Sequence, residues 1–283
     1  MSPQVASVYT GSIGVSLELP PADAEVVPGV RWGAVEAFPT PAYWAYQVFA
    51  RRLENRVVRY KLGSTLREEL GACLLGGHGI PAKVGVGAFR HLRSKGAFEG
   101  APSEACLLAW LSEPLDVEGR AVRYRFAGQK AKYLAGTLAA LNEGELRGLS
   151  GVQLRNRLVG LPGVGYKTAS WVARNWLDAD DVAILDIHIL RAGVIAGFLD
   201  SDLTVERHYL ELEQQFLRFS TGLGVRASEL DALIWLEMMS APRSVSSVLS
   251  ALPDSRFKSR HAPLKRRANN GHADAMQLAL LVQ

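Results

Sequence analysis

The sequence predicts an all-α fold preceded by a short N-terminal extension with room for one or two strands. Three observations carry that reading. Apolar residues settle into helical spacing at Thr40 and keep it through the body of the chain. Residues 150–177 read as helix, glycine turn, helix. Residues 1–38 are instead rich in Val, Ser, Gly and Pro, with loose alternation over 5–19 and a breaker at Pro20-Pro21.

The boundaries follow from these changes of pattern: an extension at 1–38, a helical body at 39–250 and a basic strap with a C-terminal helix at 251–283. A chain of 283 residues that is 48% hydrophobic has ample material for a core. In the body, Thr40-Pro41 opens a helix carrying Trp44, Val48, Phe49 and Leu53. Thr65 with Glu68 has the spacing of a capping box, ahead of Leu66, Leu70, Cys73 and Leu74. Its exit, Gly76-Gly77-His78-Gly79-Ile80-Pro81, holds more glycine than a helix end requires. Further helices are expected at 82–95, 103–112, 126–141, 204–220 and 227–240, the last apolar enough to be core.

The chemistry-bearing stretch lies at 158–189. Ser150 can cap a helix that runs to Gly160. In Leu161-Pro162-Gly163-Val164-Gly165 two glycines permit positive φ and bring bare amides to the surface, and a second helix starts near Tyr166. Uncapped N–H groups at a helix start can seat a phosphate; an ordinary helix-helix turn would look the same. Lys167 falls in the first turn, where the helix dipole disfavours its charge and makes a neutral amine nucleophile more accessible. Asp186, nineteen residues later, precedes Ile187-His188-Ile189 and can cap the next helix. The plain alternative is a surface lysine and a capping aspartate.

Leu-Pro-Gly-Val-Gly-x-Lys with Asp-Ile-His following resembles the helix-hairpin-helix DNA glycosylases, and within them the 8-oxoguanine glycosylase branch. The clear match covers about a quarter of the chain. The resemblance implies helices in two lobes around a cleft, with Lys167 attacking the sugar C1′ to form a Schiff base. Asp186 would stabilise the oxocarbenium-like sugar, and Gly163, Gly165 and His188 would contact DNA. It also implies that the loop after residue 75 fills the gap left by an extruded nucleotide. His78 or Ile80 could do so; a simple capping turn fits equally.

Composition bounds the partners. The net charge of +4 is modest, yet Arg256, Lys258, Arg260, Lys265, Arg266 and Arg267 carry six positive charges with no acid among them, leaving −2 for the remainder. That strap, with Lys265, Arg266 and Arg267 at its centre, suits nonspecific phosphate attraction, or simply solubility. Two cysteines, Cys73 and Cys106, are too few for a four-cysteine iron-sulfur cluster, so no cofactor or metal is expected. No apolar run reaches the roughly 18 residues of a membrane span. The expectation is a cytoplasmic, nucleoid-associated monomer acting on double-stranded DNA.

A flipped base needs a pocket walled by flat or apolar groups. Trp171 lies one turn after Lys167, and Trp235 lies one turn after Asp231; core packing is the alternative for both tryptophans. In the resembling branch a small or sulfur-bearing residue follows the lysine by four, and a glutamine and an aromatic on a late helix read the base. Trp171 and Asp231 depart from that pattern. An aspartate accepts hydrogen bonds only, so it suits a base edge that donates, such as an amino group. The short N-terminus leaves space for a large substituent. The resemblance extends to bacterial glycosylases that excise hypermodified phage bases such as glucosyl-hydroxymethylcytosine as an antiviral strategy; that implied substrate would explain all three features, whereas oxidised guanine fits two of them. A noncatalytic DNA-binding module and an abasic-site lyase without excision are the remaining alternatives.

Overall fold

The computed structural model of the protein describes residues 2–55, 61–77 and 79–251. Among the described residues six short strands pair as three antiparallel hairpins: β1 (Gln4–Thr10) with β2 (Ile13–Leu19), β3 (Glu25–Val27) with β4 (Val30–Arg31), and β5 (Leu115–Val117) with β6 (Arg120–Val122). The helices are α1 (Pro41–Leu53), α2 (Leu66–Leu75), α3 (Ala82–Ser94), α4 (Glu104–Ser112), α5 (Ala127–Ala140), α6 (Gly151–Leu158), α7 (Tyr166–Leu177), α8 (Ile187–Ala196), α9 (Tyr209–Leu223), α10 (Ala227–Ser240) and α11 (Pro242–Ala251). The all-α expectation holds, with short hairpins added to it. The N-terminal extension contains four strands rather than one or two.

Two compact units share these elements, and over the described residues the chain passes between them twice. Among the described residues the first unit takes those up to 55 and those from 185 onward, and the second takes 61–184. In the first, Thr40 caps α1 by accepting from the Tyr43 N–H at 3.1 Å, and Pro41 stands at the helix start, where its missing donor costs nothing. Trp44, Leu212, Phe216, Phe219, Leu230 and Ile234 bury completely. Phe198 stacks on Phe219 with centroids 3.7 Å apart. Glu237 of α10 ties down α1, accepting from Arg51 at 3.0 Å and from the Tyr43 hydroxyl at 3.3 Å. Burial first, and the Glu237 charge second, push the Tyr43 hydroxyl up to about 12.

Several boundaries differ from expectation for local reasons. Helix α9 starts at Tyr209 rather than Thr204, because the Thr204 carbonyl accepts from the Arg207 and His208 N–H groups and closes a separate turn. The β5-β6 hairpin was not expected; Glu118 and Gly119, both at positive φ, make its two-residue turn. Thr65 accepts from the Glu68 N–H at 3.2 Å, and the Glu68 carboxylate, within reach of the Thr65 N–H, is held chiefly by the Ser64 amide and hydroxyl. Ser64 offers both an amide and a hydroxyl, which makes it the better partner. Cys73 and Cys106 are both free thiols; burial first, and the Glu69 charge next, push the Cys73 thiol well up, which keeps it unreactive.

The second unit is organised around α2, whose Leu70, Leu74 and Leu75 bury against Leu92, Leu107, Leu134, Ala169 and Val172. Among these apolar groups sits one fully buried carboxylate, Glu69. It accepts from the Leu62 and Gly63 N–H groups at 2.8 and 2.7 Å and from the Asn175 amide of α7 at 2.7 Å. With the Cys73 thiol, which donates at 3.8 Å, four donors compensate the burial of this carboxylate. Glu69→Leu strands them and is expected to lower unfolding free energy by about 3 kcal/mol or more in urea denaturation. A change under about 1 kcal/mol would contradict that role.

Candidate active site

The helix-turn-helix of the second unit is built from its caps inward. Ser150 accepts from the Gln153 N–H at 3.2 Å, while the Gln153 side chain accepts from the Ser150 N–H at 2.9 Å, completing a capping box. Helix α6 then stops, and the Leu161 and Val164 N–H groups close successive turns onto Leu158 and Leu161. Leu154, Leu158 and Val164 bury against Ala169, Val172 and Ala173 of α7, so the two helices share one apolar seam.

What fixes the turn is α5, which lies behind it. Gly163 adopts φ +74°, a region costly for side-chain-bearing residues, and a Cβ there would collide with the Tyr133 side chain at its Cγ and Cδ2 atoms. One turn on, a Cβ at Gly136 would lie 2.9 Å from the Pro162 ring. The Thr137 hydroxyl donates to the Pro162 carbonyl at 2.8 Å. Tyr133, Gly136 and Thr137 recur at three and four residues and thus form one face of α5.

The two glycines of the turn do different work. Of the two glycines that permit positive φ only Gly163 uses it; Gly165 is extended at φ −91° and ψ 176°. Gly165 is the exposed N-cap of α7, offers no side chain to the helix start, and has nothing within 4 Å of where a Cβ would be. Lys167 follows in the first turn of α7, half-buried. The Arg155 guanidinium lies 5.6 Å from the Tyr166 ring centroid beside it.

Asp186 belongs to the first unit, where it is the N-cap of α8. One carboxylate oxygen accepts from the His188 N–H at 2.8 Å and the Ile189 N–H at 3.2 Å. The residue before it, buried Leu185, gives its N–H to the Tyr209 hydroxyl at 3.2 Å. Within α8, burial pulls the Arg191 guanidinium below its usual range, and the Asp186 charge opposes that pull. His188 is half-buried in the first turn of the helix. Helix α8 packs on α10, which carries Asp231, 2% exposed, and half-buried Trp235 one turn beyond it.

The structure thus places Gly163, Gly165, Lys167 and Trp171 on one hairpin, Asp186 and His188 in one helical turn, and Asp231 with Trp235 on one helix. Trp171 is half-buried against the second unit's core, its ring edge 3.5 Å from the Cβ position of Gly76. His78, Lys265, Arg266 and Arg267, together with the rest of the basic strap, lie outside the described residues. Sequence reading missed Tyr133, Gly136 and Thr137 as the seat of the turn, although a glycine inside a helical pattern is a signal of close approach. It also missed Tyr209, which nothing local in the sequence connects to Asp186. Among the described residues no group of three or more His, Cys, Asp or Glu side chains could hold a metal ion.

Comparison with known proteins gives consistent matches. The family model described as 8-oxoguanine DNA glycosylase (Ogg-HhH) matches residues 53–225. An 8-oxoguanine DNA glycosylase/AP lyase of Methanocaldococcus jannaschii is 39% identical over 77 residues, which is 26% of this chain and only 37% of that relative. The solved 8-oxoguanine DNA glycosylase of M. jannaschii is similar with a TM-score of 0.52 and 24% identity, over 69% of this chain and 93% of that one. That of Thermotoga maritima gives 0.50 and 22%, over 69% and 95%. At these identities the two structures speak for the fold.

Gly163→Ala combines backbone strain with overpacking and is expected to cost about 2 kcal/mol or more. Gly165→Ala, extended and open, should cost under about 1 kcal/mol. Equal losses in denaturant titrations would contradict the seat on Tyr133.

Proposed function

Since the chain belongs to the 8-oxoguanine DNA glycosylase family, we propose that it flips a modified base out of duplex DNA, cleaves the N-glycosidic bond and then cuts the strand as an abasic-site lyase. The observation that carries this reading is a lysine in the first turn of a helix whose entry is a glycine turn clamped on Tyr133. A turn held that firmly presents the amides at the start of α7 to a phosphate, and an amine beside a bound phosphate has a deoxyribose within its neighbourhood.

In the proposed reaction the neutral amine of Lys167 attacks C1′. The bond to the base breaks with its electron pair going to the base, which takes up a proton, and the amine gives up its own. Ring opening breaks the C1′–O4′ bond with its electron pair going to O4′, which takes up the remaining N–H proton, and yields the imine. Loss of a proton from C2′ then expels the 3′ phosphate. Asp186, oriented by two backbone N–H groups, supplies the negative charge that favours positive character on the sugar as the base departs. His188, one residue into α8 beyond Ile187, is assigned to a DNA phosphate. The enzyme is proposed to work as a monomer.

For the base, the features of this chain favour a hypermodified cytosine such as glucosyl-hydroxymethylcytosine, and with it a role in antiviral defence. Asp231 is a deeply buried acceptor on α10, suited to a base edge that donates an amino group. A second reading, 8-oxoguanine, is favoured by the family match and by the substrate that the relatives' names carry.

Borohydride reduction during reaction with modified duplex is expected to trap a covalent adduct with the wild-type chain. Lys167→Gln should abolish it while leaving duplex binding intact, and Asp186→Asn should slow single-turnover excision on the order of a hundredfold. Trapping that survives Lys167→Gln would overturn the assignment. Mass spectrometry of bases released from phage DNA with modified cytosines, and from oxidised DNA, separates the two substrates. Release of free 8-oxoguanine alone would remove the cytosine reading. Asp231→Asn should lower selectivity for an amino-bearing base at least severalfold, since an amide can turn donors toward that group; unchanged selectivity would take Asp231 out of the pocket.

A further inference from the structure

From Gly119 to Asn142 the chain contains five cations, Arg120, Arg123, Arg125, Lys130 and Lys132, and no acid. The fold sorts them. Lys130 turns inward and donates to the Leu74 carbonyl at 2.6 Å and the Gly76 carbonyl at 3.1 Å, where desolvation lowers its pKa. Tyr124, also buried, donates to the Leu75 carbonyl at 2.6 Å. These two side chains cap the C-terminus of α2. The other four cations stay outside: Arg123 and Arg125 flank buried Tyr124, and Arg120, Arg123, Arg125 and Lys132 are all exposed. Among the described residues none of the four pairs with a carboxylate. The two neighbouring acids are engaged elsewhere, Glu118 with Lys83 at 2.8 Å and Asp116 with the Gly119 N–H at 2.8 Å.

Position makes this more than a soluble surface. The N-terminal end of α5 borders the loop after α2, through Lys130 on Gly76 and through Phe126, 3.7 Å from the Cβ position of Gly79. The middle of α5 holds the glycine turn, through Tyr133 on Gly163. Of the exposed cations, Lys132 lies between the residues of α5 that touch the loop and the one that touches the turn, and Arg120, Arg123 and Arg125 continue the series on the loop side, ahead of α5. We propose that Arg120, Arg123, Arg125 and Lys132 form a ridge that tracks the phosphate backbone of duplex DNA away from the glycine turn. This rests on the reading of the chain as a DNA glycosylase. Each contact releases condensed counterions, so the ridge governs the salt dependence of binding rather than the chemical step.

The test uses the full chain and an unmodified duplex, with Kd measured by fluorescence anisotropy over a salt series. Replacing all four residues by glutamine should flatten the slope of log K against log salt by about 0.9 for each lost contact, about three to four in all. Binding at about 0.15 M salt should weaken at least tenfold. The single-turnover rate at saturating modified duplex should stay within about twofold. A comparison variant, Arg31→Gln with Arg207→Gln and Arg218→Gln, removes three exposed charges from the first unit and should barely change the slope. An unchanged slope in the quadruple variant, or an equal fall in the comparison variant, overturns the ridge while leaving the glycosylase reading intact. A wild-type chain that binds no duplex and releases no base overturns both.

Discussion

Everything proposed for this chain depends on how closely its glycine turn approaches one helix. Gly163 lies where any side chain would collide with the Tyr133 side chain, and Pro162 is held from the same face by Gly136 and Thr137. Turns are ordinarily among the softer parts of a fold, because few apolar contacts restrain them. Here the restraint comes from a helix in the same unit, so the first turn of α7 inherits the rigidity of α5. A nucleophile must hold its position to a fraction of an ångström, and rigid elements do that better than free loops.

Buried polar groups extend the same logic to the places where the chain changes unit. Glu69 accepts from two backbone N–H groups that follow the first passage and from Asn175 on α7. Lys61 adds its ammonium over the Trp176 ring at 3.6 Å, again on α7. At the second passage the Tyr209 hydroxyl accepts from Leu185, immediately before Asp186. The helix with the lysine and the cap with the aspartate are each fastened near a passage by buried or part-buried hydrogen bonds. Loss of one is costly because its partners stay buried.

Much of this was legible in the sequence, and the limits have physical causes. The helical body, the Thr40 and Ser150 caps, the turn at 161–165 and the Asp186 cap rest on local interactions within about four residues, and local patterns report those. The start of α9 was placed too early because Thr204 competes for the same carbonyl-closing turn, a balance that spacing cannot resolve. Which of the turn's two glycines uses positive φ was not legible, since glycine permits that region without requiring it. Tyr133 against Gly163 and Tyr209 against Leu185 join positions about thirty and twenty-four residues apart, and no periodicity encodes such pairs. Lys130 shows the same limit: its charge is evident in the sequence, but only the fold reveals that it serves the α2 carbonyls while Lys132 stays outside.

The central claim is that one particular amine becomes bonded to the sugar. Reducing the reaction mixture, digesting the cross-linked chain and mapping the adduct by tandem mass spectrometry tests it most directly. The account predicts the added deoxyribose remnant on the peptide containing Lys167, at that side chain and no other. An adduct on a different lysine, or on the N-terminal amine, would contradict it.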